Sequence, residues 1–488
     1  MNEKLSAEAL SALLGQFTPE NLGSRLFMER SDLLTPENFL VWFHERFHYL
    51  QVVFTPYGHL KWASYRTSTT DIIEAWANLS LMLNQPRRLP IKEYLLNDTP
   101  ESVKLAYNIW LCNLKNDIYK IVERGGTSCG NMSLFAGLTY ETCCPLIMIY
   151  GQEHRMRGID ILESFAKFEE AMLGEIITGR TLFEEAMLGE IITGRTLDEL
   201  INPNKLNPEY YSALYYFIET LGPERLVEFP IVCELALATA HIPLPSSIEN
   251  FQKYAPNWRF IKLVEKLKTI ENLPTIDYND NKTFFDYANT VLLACEFETL
   301  DEAWVAAEEY AEMSDLTMAE EMKAAIRYKK KHPWMLSYPM CNEDDFFSVE
   351  FNRFEPYFTI MDDGISYNSD HVRSEELVVE NHMQALAQQI CGYPSRYCRD
   401  SFKLMCGFSY MGTNNCPHYL NGECDGYVDA EPQLPELILD EDSNIKSGCS
   451  FELLLKSHNI DIKDIEVGIM RLVTYDEITN AAKKHFSA

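Results

Sequence analysis

No stretch of the chain reaches the roughly 18 consecutive apolar residues of a bilayer-spanning helix, so the sequence predicts no membrane span. Basic residues are in the minority. Lys and Arg number 42 against 73 Asp and Glu, a net charge of −31 that repels nucleic acid and anionic membrane surfaces, and neither is an expected partner. No Cys-x-x-Cys pair occurs, so neither a zinc ribbon nor a ferredoxin-type cluster is matched. The start, Met1-Asn2-Glu3-Lys4, is charged, and the Leu-Ser-Ala-Leu-Leu stretch near it is too short for a secretory core. The expected compartment is therefore the cytoplasm, where the 13 cysteines serve as core thiols or metal ligands rather than disulfides.

What is present is a globular chain. Its 488 residues, 46% apolar and 12% aromatic, suffice for a large core and two or three domains. Helical periodicity dominates, so the expected fold is mainly α with a small β-hairpin or sheet. Residues 1–34 read as short helices, with a helix start at Thr18-Pro19-Glu20-Asn21. Thr55-Pro56-Tyr57-Gly58 reads as a turn, followed by a helical pattern from Thr69 to Leu83. Cys143 to Tyr150 is short, apolar and partly β-branched, and with a turn over Gly151 to His154 it predicts a hairpin; Cys143 and Cys144 read as core.

Helices are further expected over 100–125, from Ile159 to Glu170, Tyr210 to Leu221, Phe229 to Ala240, Asn281 to Ala294, Asp301 to Lys331 and Arg373 to Ile390. The Glu-rich and Lys-rich runs within 205–345 read as solvated faces. Residues 168–182 and 183–197 are the same fifteen residues twice. Fifteen residues turn a helix by about 1500°, about 60° past whole turns, so one continuous helix cannot present both copies alike, and one copy is expected to form a helix end or loop. The expected division is a helical domain over 1–345, a Cys-rich region with one long helix over 346–430, and a linker with a small appendage over 431–488.

The chemistry gathers in Thr35-Pro36-Glu37-Asn38-Phe39-Leu40-Val41-Trp42-Phe43-His44-Glu45-Arg46-Phe47-His48. Thr35 as cap, Pro36 at the first helical position and Glu37 in the first turn announce a helix. His44 and His48, one turn apart, can reach one ion, with Glu45 as a general base. The helix is apolar nearly all round, through Phe39, Leu40, Val41, Trp42, Phe43, Phe47, Leu50, Val52, Val53 and Phe54, which predicts burial. Burying its polar groups costs roughly 1–3 kcal/mol for each one left unsatisfied, and an ion relieves that cost.

A catalytic zinc needs a third protein ligand and an open position. Gln51 and Phe54 stand where a metzincin carries Gly and His, which excludes that class. His59 follows the expected turn and reads as a loop residue. The stretch Glu163-Ser164-Phe165-Ala166-Lys167-Phe168-Glu169-Glu170 resembles the glutamate helix of the gluzincin zinc metallopeptidases, especially the aminopeptidase pattern. That resemblance covers residues 35–175 and implies a zincin-like α+β core. It makes Glu163 the third ligand, with Glu74 as the alternative. The motif is also similar to that of uncharacterised bacterial proteins in which HExxH continues as Tyr-Leu-Gln and then Thr-Pro-Tyr-Gly, as from His44 to Gly58 here. Lys167 departs from the gluzincin pattern, which often has an acidic outer partner there; Glu170 is the candidate replacement.

The resemblance implies one catalytic zinc, a protein or peptide substrate, and Glu45 passing a proton from water to the leaving amine. Tyr210, Tyr211, His154 and Arg155 are unranked candidates for the oxyanion donor, and the 145–150 segment is a candidate edge for an extended substrate. Five cysteines crowd into 34 residues, at Cys391, Cys398, Cys406, Cys416 and Cys424. Free thiols are the first reading of this cluster; a second, structural metal at Cys398, Cys406, Cys416 and Cys424 is the other. A non-catalytic interaction protein with a metal in that cluster is the rival reading, and sequence leaves the oligomeric state open.

Overall fold

A computed structural model describes residues 15–18, 23–26, 36–83, 87–90, 143–177, 208–239, 248–313, 319–339, 375–390 and 449–461, with short strands at 357–362, 365–368, 404–406, 427–428, 438–439, 445–447 and 465–467. The chain forms two compact units, one of Met1–Pro19, Leu26–Ala63 and Asn116–Pro356, the other of Glu20–Arg25, Ser64–Lys115 and Tyr357–Ala488. The described residues are mainly helical, with a small two-stranded antiparallel sheet in the first unit. In chain order the helices are α1 (Pro36–Phe54), α2 (Pro56–Leu83), α3 (Gly158–Ile177), α4 (Pro208–Leu221), α5 (Phe229–Leu237), α6 (Ile248–Tyr254), α7 (Pro256–Leu267), α8 (Asn281–Ala294), α9 (Leu300–Met313), α10 (Ala319–Lys331), α11 (Glu375–Ile390) and α12 (Ser450–Ser457). Among the described residues no helix is long and apolar enough to cross a membrane.

The first unit is built around α3. Against α1, Phe165 meets Phe47 edge to face, ring centroids 4.9 Å apart; against α5, Phe168 meets Phe229 at 5.4 Å. These are the apolar positions of its amphipathic pattern, and Phe43, Phe47, Phe54 and Phe165 are fully buried, each contributing about 1.5–3 kcal/mol. Ser164 faces α4, where its hydroxyl accepts the Ala213 backbone N–H at 3.3 Å. Phe54 at the end of α1 stacks on Tyr328 of α10 at 6.0 Å.

The hairpin consists of β1 (Leu146–Ile149) and β2 (Gln152–Arg155), with Leu146 opposite Arg155 and Ile149 opposite Gln152. Its turn is Tyr150-Gly151, with φ of 48° and 77°, the pair of positive values that a two-residue type I′ turn demands. Ile147 and Ile149 are buried while Leu146 and Met148 are exposed, the period-two alternation of a sheet with one covered face. Asn257 ties the base of the hairpin by donating to Cys143 O at 2.7 Å and Met156 O at 3.0 Å.

In the second unit α11 packs on α12, with His382 against Phe451 at 5.3 Å. Strands Arg87–Leu89 and Ile465–Val467 pair in parallel, and Tyr357–Asp362 pairs antiparallel with Ile365–Asn368.

Several local expectations are corrected. Gly15–Thr18 and Gly23–Leu26 are strands, not helices; each opens with a glycine, which weakens a helix and is tolerated at a strand start. At the end of α1 the bend falls at Thr55 alone, α2 begins at Pro56, and Gly58 and His59 are helical. The hairpin turn lies one residue earlier than expected, so Gln152, Glu153 and His154 are strand. Within the span from Asp301 to Lys331 the described residues are helical as α9 and α10, and 314–318 lie outside the described residues. The expected helix over 100–125, the duplicated residues beyond Ile177, and Cys391, Cys398, Cys416 and Cys424 lie outside the described residues.

Candidate metal centre

Helices α1 and α3 pack against each other in the first unit, and the site is built where they touch. His44, Glu45 and His48 are all buried on α1 although the surroundings are apolar, with relative exposures of 6%, 6% and 9%. His44 Nε2 stands 3.1 Å from His48 Nε2 and 3.2 Å from Glu163 Oε2, and His48 Nε2 stands 3.4 Å from the same carboxylate oxygen. The three atoms form a nearly equilateral triangle. Ligands at zinc distances of about 2.0–2.1 Å, placed tetrahedrally, stand about 3.3–3.4 Å apart, so the triangle has the dimensions of one face of such a shell. A proton or a metal ion between these atoms holds two ring nitrogens and a carboxylate oxygen this close, and the same positions that share a proton can share an ion. Among the described residues this is the group of ligand-bearing side chains gathered tightly enough to hold a metal ion.

The outer contacts set which nitrogen of each ring faces the triangle. His48 Nδ1 donates to Gln51 Oε1 at 2.9 Å, which leaves its Nε2 lone pair for the ion. The amide of Gln51 then donates from Nε2 to the backbone carbonyl of Leu162 on α3, also at 2.9 Å. On the other ring, His44 Nδ1 lies 3.0 Å from Glu170 Oε2, an ion-pair contact off the line of a hydrogen bond. Lys167 Nζ donates to the same oxygen at 2.6 Å. Lys167 thus does not displace an acidic partner: it shares one with His44.

Electrostatics follow from these contacts. Burial and Lys167 push the His44 pKa down, but Glu163 and Glu170 outweigh them and raise it to about 9. Burial alone would raise the Glu163 carboxyl; the two histidines, His48 foremost, hold it well below the usual carboxylate range. Glu170 is lowered against its burial by Lys167 and then His44. The site therefore keeps both carboxylates ionised and favours positive charge at their centre.

The other expected residues fall elsewhere. Glu74 is exposed on the part of α2 that belongs to the second unit. His59 is buried with Nε2 donating to Val53 O at 2.6 Å, and burial lowers its pKa to about 4, so it is a neutral core residue. His154 pairs with Asp160 at 3.3 Å, and Arg155 donates to Cys144 O at 3.0 Å; both brace the hairpin. Tyr211 stacks on Tyr215 at 5.9 Å, whereas the ring of Tyr210 lies 5.6 Å from Lys167 Nζ, next to the outer contacts of the site. Cys143 and Cys144 are buried, and Cys406 is half-buried and in no disulfide. Gln51 is the residue that sequence reasoning missed. Its signal is an amide three residues past His48 on an otherwise apolar helix, which in the sequence stands only where a metzincin carries glycine and as the end of the Tyr-Leu-Gln continuation.

No protein-family model, curated protein or solved structure matches the chain.

Proposed function

We propose that the protein is a zinc metallopeptidase of the gluzincin type, hydrolysing a peptide bond of a protein or peptide, with a zincin-like core formed by α1, α3 and the β1–β2 hairpin. The observation that carries this reading is the convergence of His44 Nε2, His48 Nε2 and Glu163 Oε2 within 3.4 Å of one another on a helix that also bears Glu45. Two imidazoles and one carboxylate suit zinc over calcium or magnesium, which prefer all-oxygen shells. Bound there, the ion supplies Lewis acidity for attack on a carbonyl. Glu45 takes a proton from the attacking water and returns it to the leaving amine. The chain's own contacts do the positioning: Gln51 holds His48, Glu170 holds His44, and the aromatic contact of Phe47 with Phe165 keeps the ligand helices at a fixed separation. Leu146 and Met148 on the outer face of the hairpin offer apolar contact to an extended peptide.

Metal analysis of the purified chain beside three variants tests the reading. We expect a single zinc in the unaltered chain, in Glu45→Gln and in Cys416→Ala, and none in His44→Ala. Zinc kept in His44→Ala and lost in Cys416→Ala would sink the proposal in favour of a structural metal in the cysteine cluster. Glu45→Gln should cut peptide hydrolysis by about 10²- to 10⁴-fold; cleavage at the unaltered rate would remove Glu45 from the mechanism.

A further inference from the structure

Gln51 touches both halves of the site. Its side chain accepts from a ligand ring on α1 and donates to the carbonyl of Leu162, the residue before Glu163 on α3, and it is 2% exposed. Its backbone is held as well. Thr55 Oγ1 donates to Gln51 O at 2.6 Å and accepts the N–H of Gly58 at 3.0 Å, so the corner between α1 and α2 closes over this residue. A Cβ at Gly58 would meet Val52 O at 2.3 Å and Gln51 O at 2.7 Å, so the corner requires glycine for this approach. Each polar atom of the Gln51 amide thus has one partner of the right kind, and the residue is anchored at both ends.

We infer that Gln51 is a positioning residue for the metal centre: it fixes the His48 ring with Nε2 toward the ion and sets the register between the helices that carry His48 and Glu163. The Thr55–Gly58 corner is the brace that holds it. This inference rests on the metal-site reading above, and it joins two sequence features, the histidine motif and the Thr-Pro-Tyr-Gly stretch, into one device. The alternative is that Gln51 merely fills space between helices.

Two near-isosteric variants separate these roles. Gln51→Met keeps the volume and loses both hydrogen bonds. Gln51→Glu keeps an acceptor for His48 Nδ1 and loses the donor to Leu162. A space-filling role would leave zinc affinity alike in the two variants. We expect Gln51→Met to weaken zinc binding about 10- to 100-fold in chelator competition, and Gln51→Glu to recover part of that loss, the share that comes from the His48 contact. The visible spectrum of the cobalt-loaded chain should shift in Gln51→Met and resemble that of the unaltered chain in Gln51→Glu. Circular dichroism and melting temperature, measured on both, identify any loss that comes from unfolding.

Equal affinity of Gln51→Met and the unaltered chain, or equal losses in both variants, would overturn the inference while the metal site stands. Failure of the unaltered chain to bind zinc or cobalt would overturn the metal-site reading itself, and the inference with it.

Discussion

At the scale of single residues the site turns on how two imidazoles and a carboxylate are kept facing one point. His44 lies between two acids, Glu163 on its Nε2 side and Glu170 on its Nδ1 side, at 3.2 and 3.0 Å. Outer partners of this kind orient a ring and raise its basicity toward a metal. Glu170→Gln is accordingly expected to weaken zinc binding about 10- to 100-fold in chelator competition, with Lys167 left without its acid; unchanged affinity would show that His44 needs no such support. His44, Glu45 and His48 were legible in the sequence because a four-residue spacing on a helix is local geometry. Glu163 was legible only through the resemblance of its neighbourhood to a known helix. Gln51 was not, because what gives it a role is the carbonyl of Leu162, more than a hundred residues away in the chain.

At the scale of elements, the corner between α1 and α2 shows how a turn-like tetrapeptide can serve a different purpose. Thr-Pro-x-Gly reads as a chain reversal, yet here threonine caps α2, proline occupies its first position and glycine lets the two helices approach. Gly58→Ala should therefore destabilise the protein by about 1–3 kcal/mol in denaturant unfolding, since the new methyl group meets backbone that cannot swing aside. An unchanged midpoint would mean the corner can open without cost. The hairpin offers a similar lesson. Gly151 marked the turn, but only the φ of Tyr150 shows that the turn starts one residue earlier. Sequence indicated the presence of these elements because periodicity and caps are local; the boundaries went to whichever residue tertiary packing favoured.

At the scale of the whole molecule, what holds the first unit together besides its aromatic core is a set of buried charges the composition gave no reason to expect. Lys329 on α10 pairs with Glu234 on α5 at 2.8 Å, and the two side chains are 2% and 3% exposed. Ser337 donates to the same carboxylate, and the nearby Glu169 on α3 is pushed well up by burial and then by Glu234. Lys329→Met should cost about 3–5 kcal/mol in denaturant unfolding, because it leaves the Glu234 carboxylate buried without its cation; a loss under about 1 kcal/mol would show that the pair is replaceable. In the sequence Lys329-Lys330-Lys331 was a solvated run, and only its first member departs from that reading. The sequence by itself determined a mainly helical fold and a buried helix carrying two histidines one turn apart, since these follow from spacing and hydrophobic period; the glutamate that completes the group it offered only through a resemblance. Only the tertiary structure decided that Glu163 meets both rings, that Glu170 and Gln51 support them, and which charges are buried. Those are contacts between residues far apart in the chain, set by how helices pack and not by what stands next to them.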